Sequence, residues 1–435
     1  MSDWAVCTIV TKSYLCYARA LTESVKRHNS DVSVYVLLAD RLDDGIDPAQ
    51  EDFHLISLEQ VIPDPLREPM CFYYTAYELC CALRGHLHEY LLNNTSVQRW
   101  LFLDGDVWVT HSLAPIFQQL DHADILLNPQ NYTASTTLPD RLYERSQLKY
   151  GLYNGGCVGL KRSPTAQQFI QWFKARLQTD CFDDIAIADS RGLFLDQKWL
   201  DLVPIYFSNV GLLRHPGANV AHWNLIERSL TLDEQGQLWV NQQPLIFFHL
   251  SGWDIEQPDR ISRHASQNHI TVPAWSAIGQ SYREALIRHG YFDCLQWPYG
   301  FATFTNGQPI TLAMRRYYFE YYLKDVNSKT SPFDRWDDFP RDVGLPQSLQ
   351  WLEAEVQRLQ ATLVNVQQEI QSVPIGPPAN EIAELKAECK QLLHQRNELL
   401  AQVVAMKNSK FWWLRGQWLK AKSKFGFAGS PHGID

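Results

Sequence analysis

Several features are missing from this 435-residue sequence, and each absence argues against a class of protein. There is no basic excess, because 39 Lys and Arg residues stand against 48 Asp and Glu residues, a net charge of −9 at pH 7. A general nucleic-acid binder needs a basic surface for phosphate contacts, so we expect no nucleic-acid partner. No apolar run reaches the ~18 residues of a membrane-spanning helix. The N-terminus also lacks the basic-then-apolar order of a signal peptide.

Regularly spaced cysteines are absent as well. The nine cysteines are odd in number, irregularly scattered, and form no C-x-x-C pair. This distribution is typical of reduced core thiols in a cytoplasmic protein, and it argues against a disulfide framework. With 45% apolar and 20% charged residues, the composition is that of a folded protein. The length allows two or three domains.

Residues 1–280 alternate between strand-like and helix-like patterns. Nearly continuous apolar runs at 4–10, 32–38 and 100–103 are typical of strands buried on both faces. Helical stretches separate these runs, and this order predicts an α/β fold with a mixed, mainly parallel sheet. Ligands of such sheets bind beyond the carboxyl ends of the strands, so we expect the functional site there.

Three further regions follow. Residues 281–345 are rich in aromatics and predict a packed appendage, or alternatively the lining of an acceptor groove. Residues 346–407 carry two coiled-coil patterns broken by a proline-rich stretch at 374–378, which fits a hairpin within one chain or pairing into a homo-oligomer. Residues 408–435 form a basic, aromatic tail. The tail suits contact with a membrane surface, but a cap on the protein itself or a flexible tail fits equally.

Two carboxylates follow the third apolar run. Asp104 and Asp106 flank Gly105. In an extended chain, residues i and i+2 project from the same face, so the two side chains are expected together at the sheet edge. Gly105 leaves room for a ligand to approach the backbone. Two hard oxygen ligands suit a divalent metal ion that also binds phosphate, whereas a solvated turn is the alternative.

Three more groups place polar side chains at element ends. His249 ends an apolar, strand-like run, where it is either structural or a third metal ligand that favours Mn²⁺ over Mg²⁺. The segment 154–156, Asn-Gly-Gly, would let backbone donors approach a sugar or phosphate, or is a tight turn into a strand. Asp196 and Gln197 stand at the start of an apolar helix, where Asp196 is alternatively an N-cap.

In this order the motifs resemble those of the GT-A glycosyltransferases. The resemblance points to the family-8-like branch that includes glycogenin and bacterial lipopolysaccharide galactosyltransferases. It extends to a poorly characterised bacterial group of predicted nucleotide-sugar transferases, and it covers roughly residues 4–270. The features shared with the GT-A enzymes are the D-x-D triplet at 104–106, Asn-Gly-Gly at 154–156, Asp196-Gln197, and His249-x-x-Gly252. The bacterial group has stretches similar to 7–15, 77–79, 196–199, 215–217, 219–224 and 248–252.

The resemblance implies roles for individual residues. Asp104, Asp106 and His249 would hold Mn²⁺ or Mg²⁺, and Asp196 and Gln197 would be catalytic. The nucleotide of a nucleotide diphosphate sugar would contact Thr11, Tyr14, Arg84, Asp104 and Gly105. The donor sugar and the acceptor would contact Glu78, Asn154, Gly155, Gly156, His222, Asn224, Ser251 and Gly252.

The implied reaction moves a hexose to an acceptor hydroxyl with retention of configuration. The acceptor is open among a saccharide, a lipid-linked compound and a protein, in surface polysaccharide or glycoconjugate synthesis. We expect the cytoplasm as the location, with peripheral contact at the inner face of the membrane.

The sequence departs from the family pattern at one position and leaves two other functions open. The family's H-x-x-G-x-x-K-P-W segment here lacks its phosphate-binding lysine, for which Arg263 and His264 are the candidate replacements. One alternative function is a coiled-coil scaffold with a degenerate transferase domain. The other is a sugar nucleotidyltransferase, although its glycine-rich loop after the first strand is missing here.

Overall fold

The computed structural model describes residues 3–43, 45–134, 138–183, 192–264, 273–322 and 330–339, together with Arg358. The chain divides into two units, Met1–Ile185 with Ser190–Phe339, and Ala186–Asp189 with Pro340–Asp435. Apart from Arg358, all described residues belong to the first unit. The coiled coil predicted at 346–407, Arg358 excepted, and the tail predicted at 408–435 lie outside the described residues.

The described part of the chain alternates strands and helices from its beginning. The strands are β1 (Trp4–Val10), β2 (Ser33–Leu38), β3 (His54–Ile56), β4 (Arg99–Leu103), β5 (Val107–Val109), β6 (Ile125–Pro129), β7 (Tyr153–Lys161), β8 (Val210–Leu212), β9 (Leu230–Leu232), β10 (Leu238–Val240), β11 (Gln243–Pro244) and β12 (Phe247–His249).

The helices separate most of these strands. They are α1 (Leu15–His28), α2 (Leu58–Val61), α3 (Asp64–Tyr73), α4 (Ala76–Ala82), α5 (Arg84–Asn94), α6 (Ala114–Gln119), α7 (Leu138–Tyr150), α8 (Pro164–Leu177), α9 (Val203–Tyr206), α10 (Pro273–Arg288), α11 (Tyr291–Cys294) and α12 (Leu312–Tyr317). Short 3₁₀ helices cover Lys12–Tyr14, Pro48–Gln50, Gln197–Leu202, Pro332–Asp334 and Trp336–Asp338, and a π-helix covers Tyr318–Tyr322.

A seven-stranded sheet forms the centre, in the order β3-β2-β1-β4-β7-β6-β8. β1 pairs in parallel with β2 and β4, β2 with β3, and β6 with β8. Only β7 runs antiparallel to its described neighbours, β4 and β6. The predicted α/β fold with a mixed, mainly parallel sheet is confirmed.

Both faces of the sheet are buried, which explains the continuous apolar run of β1. Val6 and Val10 pack into the hydrophobic cluster that includes α1 and α10. Ala5, Cys7 and Ile9 point the opposite way, into the cluster that includes α3, α4, α5 and α8. A strand covered on both sides has no polar face, so its sequence does not alternate.

A second, two-stranded ribbon lies at the carboxyl end of β4. β5 pairs antiparallel with β12, and His249 stands opposite Val107. The amide of Leu250 donates to the carbonyl of Asp106 at 2.9 Å, which extends the pairing past the last strand residue. This ribbon joins two parts of the chain that are distant in sequence.

The aromatic residues predicted as an appendage pack into the core of the same unit. Phe72 of α3 contacts the rings of Phe304, Tyr318, Phe333 and Phe339 at centroid distances of 5.7, 4.8, 5.2 and 5.6 Å. These four aromatics therefore share one hydrophobic cluster with residues of β1, α3 and α4. They are core residues and do not line a groove.

Two further expectations concern cysteines and the membrane. The eight cysteines within the described residues are free thiols, and Cys389 lies outside them. Among the described residues, no helix combines the length and the apolar character needed to cross a bilayer.

Candidate functional site

Two aspartates and a histidine converge beyond the carboxyl end of β4. His249 Nε2 lies 3.1 Å from Asp106 Oδ1 and 3.7 Å from Asp104 Oδ2. One ligand atom from each residue lies within 4.8 Å of the others. The histidine is buried, whereas the aspartate side chains remain 30% and 27% exposed. Carboxylate oxygens and an imidazole nitrogen at this spacing can hold a divalent cation such as Mn²⁺.

The aspartates meet through a turn, and the predicted extended conformation at 104–106 is wrong. β4 ends at Leu103, β5 begins at Val107, and the amide of Val107 donates to the carbonyl of Asp104 at 3.2 Å. The turn is needed because β5 leaves the central sheet to pair with β12. A Cβ on Gly105 would lie 3.0 Å from Val10 Cγ1, so this glycine permits close packing against β1.

The charges of the cluster depend on one another. Burial lowers the pKa of His249, but the carboxylates of Asp106 and Asp104 outweigh burial, and the net pKa is raised. Burial raises the pKa of Asp106, and His249 reverses this, so the net pKa is lowered. The arrangement thus favours positive charge between the imidazole and the carboxylates, whether from a proton or from a metal ion.

Arg84, the first residue of α5, connects two carboxylates. Its Nη2 donates to Asp104 Oδ1 at 2.6 Å and its Nη1 donates to Asp196 Oδ2 at 2.5 Å. Both Arg84 and Asp196 are buried. Burial raises the pKa of Asp196 above its ordinary value, although Arg84 opposes the shift. Asp196 stands at the N-cap position of the following 3₁₀ helix, as the alternative predicts, but its side chain makes no cap hydrogen bond there.

Asn154, Gly155 and Gly156 lie inside β7, so the alternative of a tight turn is wrong. A Cβ on Gly155 would lie 2.5 Å from Arg84 Nη1 and 2.7 Å from Asp196 Oδ2. A Cβ on Gly156 would lie 2.3 Å from Asp104 Oδ2. Gly155 therefore leaves room for the ion pair of Arg84 with Asp196 on one face of β7. Gly156 leaves room on the other face for the metal-ligand cluster, which consists of Asp104, Asp106 and His249.

A chain of side-chain amides runs behind the cluster. Asn219 Oδ1 lies 3.1 Å from His249 Nδ1, and Asn219 Nδ2 donates to Asn128 Oδ1 at 2.8 Å and to Asn154 Oδ1 at 3.0 Å. Asn154 Nδ2 in turn donates to Gln197 Oε1 at 3.2 Å. Gln197 Oε1 also accepts the Gly155 amide at 3.0 Å. The predicted catalytic pair, Asp196 and Gln197, thus lies beside Gly155. The next residue of the strand, Gly156, lies beside Asp104 and His249.

Tyr14 marks another side of the site. Its ring is half-exposed and stacks on Tyr17 at a centroid distance of 4.7 Å. Partial burial raises the pKa of the Tyr14 phenol, the Asp106 carboxylate raises it further, and Arg263 lowers it. The charges of Asp106 and Arg263 thus both act on this phenol. Thr11 is buried at the end of β1, with its hydroxyl 3.1 Å from that of Ser13.

Residues that follow β8 in sequence pack against His249. The ring of Trp223 meets that of His249 edge-on at 5.2 Å, and His222 lies 6.1 Å from His264 between ring centroids. Burial lowers the pKa of His222 to about 3, with smaller contributions from His264 and His249. Asn224 is fully buried.

Two of the predicted contact residues hold the segment after β12. The carbonyl of Ser251 accepts from Ser262 Oγ at 2.7 Å, and the carbonyl of Gly252 accepts from the Arg263 amide at 2.9 Å. Gly252 has a φ of +69°, the left-handed region that favours glycine. These contacts fix the main-chain position of Arg263.

Glu78, expected to contact sugar, is placed differently. Its buried carboxylate accepts from the Thr75 amide at 2.9 Å in a capping box of α4, pairs with Arg316, and accepts the Asp183 amide at 3.0 Å. The structure thus gives Glu78 a helix-capping and ion-pairing role, and it places no described contact between Glu78 and the metal-ligand cluster.

Asn219, Asn128 and Trp223 reach the site without being expected there. Asn219 has a φ of +53°, which Asn tolerates better than most residues. Asn219 and Trp223 lie in the stretch 219–224, which resembles the bacterial group of predicted nucleotide-sugar transferases, and that resemblance was the signal that could have pointed to them. The Trp223 Nε1 is buried and has no hydrogen-bond partner among the described residues.

Comparison with known proteins gives relatives at low identity. No protein-family profile matches the chain. The sequence is 24% identical over 301 residues to the uncharacterised protein YfnF of Bacillus subtilis (strain 168), covering 66% of this chain and 93% of YfnF.

Two solved structures that resemble this one are glycosyltransferases. The galactosyltransferase LgtC, in complex with donor and acceptor sugar analogues, is 15% identical over 65% of this chain and 95% of its own, with a TM-score of 0.41. The glycosyltransferase GlyE of Streptococcus pneumoniae TIGR4 is 13% identical over 69% of this chain and 66% of its own, with a TM-score of 0.38.

Proposed function

We propose that this protein is a metal-dependent glycosyltransferase that moves a hexose from a nucleotide diphosphate sugar to an acceptor hydroxyl, with retention of configuration. The observation that carries the proposal is the convergence of Asp104, Asp106 and His249 beyond the carboxyl end of β4. Arg84, which the resemblance assigns to the nucleotide, pairs with Asp104 of this group and supports the proposal.

The charge balance supports a divalent cation. When ionised, Asp104, Asp106 and Asp196 supply three negative charges, and Arg84 supplies one positive charge within the same hydrogen-bonded group. The excess of two negative charges lies at Asp104 and Asp106, whose side chains are partly exposed to solvent. A bound divalent ion, Mn²⁺ or Mg²⁺, would neutralise it and leave coordination positions for diphosphate oxygens.

The surroundings fit the parts of a nucleotide sugar. The exposed face of Tyr14 offers a stacking surface for a base near Asp106, with Thr11 beside it at the end of β1. Arg263, whose charge lowers the pKa of the Tyr14 phenol, is the cation we assign to the diphosphate in place of the missing lysine. The resemblance assigns Gly155 and Gly156 to the hexose, and a Cβ at these positions would displace Arg84 and Asp104, which we assign to donor binding.

The residues divide the chemical work between binding and orientation. When bound, the metal ion would act as a Lewis acid that stabilises negative charge on the leaving diphosphate. Asp196, held by Arg84, orients the sugar and stabilises positive charge near its anomeric carbon. Gln197 is already held by Asn154 and the Gly155 amide, so it presents a fixed edge to the hexose.

The bond changes need no strong base from the protein. The bond from the anomeric carbon to the diphosphate oxygen breaks, and the acceptor oxygen bonds to the same face of that carbon. The acceptor's proton passes to an oxygen of the leaving diphosphate. Attack from the leaving-group side gives retention.

The substitution Asp106→Asn tests the proposal. We expect it to abolish nucleotide release and sugar transfer with Mn²⁺ and a panel of nucleotide diphosphate sugars, because it removes one of two anionic ligands. The fold should survive, since the side chain is partly exposed. Asp31→Asn, at an exposed position before β2, is the matched control and should keep full activity. Metal-dependent activity that persists in Asp106→Asn would refute the assignment.

The acceptor and its location extend the proposal to residues outside the described ranges. A saccharide, lipid-linked or protein acceptor, membrane-surface contact through 408–435 at the inner face of the membrane, and self-association through 346–407 rest on sequence patterns alone. Sedimentation with anionic vesicles, comparing the full chain with one that ends at residue 407, tests the membrane contact. Equal sedimentation of the two chains would contradict it.

A further inference from the structure

Asn219 is fully buried behind the metal-ligand cluster, and its contacts determine how His249 can act. The distance of 3.1 Å between Asn219 Oδ1 and His249 Nδ1 is that of a hydrogen bond, in which the imidazole is donor or acceptor according to its tautomer. The neighbouring side-chain amides show whether the imidazole donates or accepts. Main-chain groups fix the orientation of the first and last of these amides, Gln197 and Asn128.

One end is fixed at Gln197. Its Nε2 donates to the Tyr150 carbonyl at 3.1 Å, and its Oε1 accepts the Gly155 amide at 3.0 Å. A carbonyl can only accept and an amide N–H can only donate, so this side chain cannot be turned over. Asn154 must therefore donate to Gln197 Oε1, and its own oxygen faces Asn219.

The other end is fixed at Asn128. Its Nδ2 donates to the Leu213 carbonyl at 3.3 Å, so its oxygen also faces Asn219. The two N–H groups of the Asn219 amide thus serve two oxygens, at 2.8 Å and 3.0 Å. Only Asn219 Oδ1 is left for His249, and it is an acceptor. His249 Nδ1 must consequently carry hydrogen.

We infer that Asn219 is a positioning residue that holds His249 in the Nδ1–H tautomer and so presents the Nε2 lone pair to the metal site. This inference rests on the proposed metal site, in which Nε2 faces Asp106 Oδ1 at 3.1 Å and Asp104 Oδ2 at 3.7 Å. A lone pair directed at two carboxylates is unfavourable without a cation, and a metal ion satisfies all three groups. The same amide ties the metal ligand to β7 through Asn154.

The substitution Asn219→Gly removes the amide and keeps the backbone, because glycine adopts a φ of +53° without strain. Asn209→Gly is the matched control, since Asn209 is exposed and has a φ of +57°. Loss of an outer-shell partner typically weakens metal binding about 10–100-fold. We expect that fall in Mn²⁺ affinity for Asn219→Gly in the full chain, measured by electron paramagnetic resonance of the free ion, and no change for Asn209→Gly.

One further measurement keeps the inference testable if Asn219→Gly does not fold. Nitrogen-15 NMR of the imidazoles of the wild-type protein, with the His249 signal assigned from His249→Gln, should show hydrogen on Nδ1.

The outcomes separate this inference from the proposed function. Unchanged Mn²⁺ affinity in Asn219→Gly, or a His249 ring without hydrogen on Nδ1, overturns the role of Asn219 and leaves the metal site standing. A wild-type protein that binds no Mn²⁺, or whose binding is undiminished by Asp106→Asn, overturns the metal site and the inference together.

Discussion

The substitution Gly156→Ala places one methyl group into the candidate metal site. Its Cβ would lie 2.3 Å from Asp104 Oδ2 and 2.7 Å from His249 Cε1, where ordinary contact begins at 3.4 Å. Asp104 Oδ2 must therefore retreat by about 1 Å, the shortfall between 2.3 and 3.4 Å. The strand cannot retreat instead, because β7 pairs with β4 on one side and β6 on the other.

The cost should appear in function more than in stability. Overpacking of this kind typically lowers the free energy of unfolding by about 1–3 kcal/mol. A displacement of about 1 Å in a catalytic arrangement can lower the rate about 100-fold. We expect nucleotide release with Mn²⁺ and the donor sugar to fall by that factor, and thermal unfolding to shift by only a few degrees.

A substitution three residues further along the same strand provides the control. In Gly159→Ala the new Cβ would approach Leu126 Cβ at 3.1 Å, which small shifts of an apolar side chain can accommodate. This variant should lose a comparable amount of stability and keep its activity. Wild-type turnover and Mn²⁺ affinity in Gly156→Ala would show that Asp104 and His249 do not form the reacting site.

Two further predictions concern buried charges. Arg84→Met leaves Asp196 buried without its cation, so urea denaturation should show a loss of about 3–5 kcal/mol, and a smaller loss in an Asp196→Asn background; equal losses would contradict the pairing. Burial lowers the pKa of His88 to about 3, and its ring accepts the Trp100 indole N–H at 3.0 Å. Because unfolded His88 binds a proton below about pH 6.5 and the folded ring does not, stability falls with falling pH. His88→Gln keeps an acceptor without this titration, so from pH 7 to pH 5 the wild type should lose about 2 kcal/mol relative to it, and an unchanged difference would contradict the assignment.

The strands were predictable because burial on both faces leaves a strong local signal. β1 begins and ends where the apolar run does, and β4 differs from its run by one residue. His249 was expected at a strand end for the same reason, and it ends β12. These features depend on the residues themselves and their immediate neighbours in sequence.

Other features depend on contacts that no local pattern encodes. Glu78 is engaged by Arg316, 238 positions away, so its residue type alone could not separate a sugar contact from an ion pair. The turn at 104–106 follows from the pairing of β5 with β12. Asn219 gains its role only because Asn128, Asn154 and His249 surround it in space.

The aromatic cluster around Phe72 decides where the chain can be shortened. Arg315 donates to the carbonyls of Phe72, Tyr74 and Phe301 at 2.5, 2.9 and 2.6 Å, and so joins this cluster to the loop after α3. A protein cut after residue 280 would lose that guanidinium and four rings from around Phe72 at once. Carbonyls left without their donor beside an exposed apolar surface would favour aggregation, so a shortened protein must keep the residues up to 339.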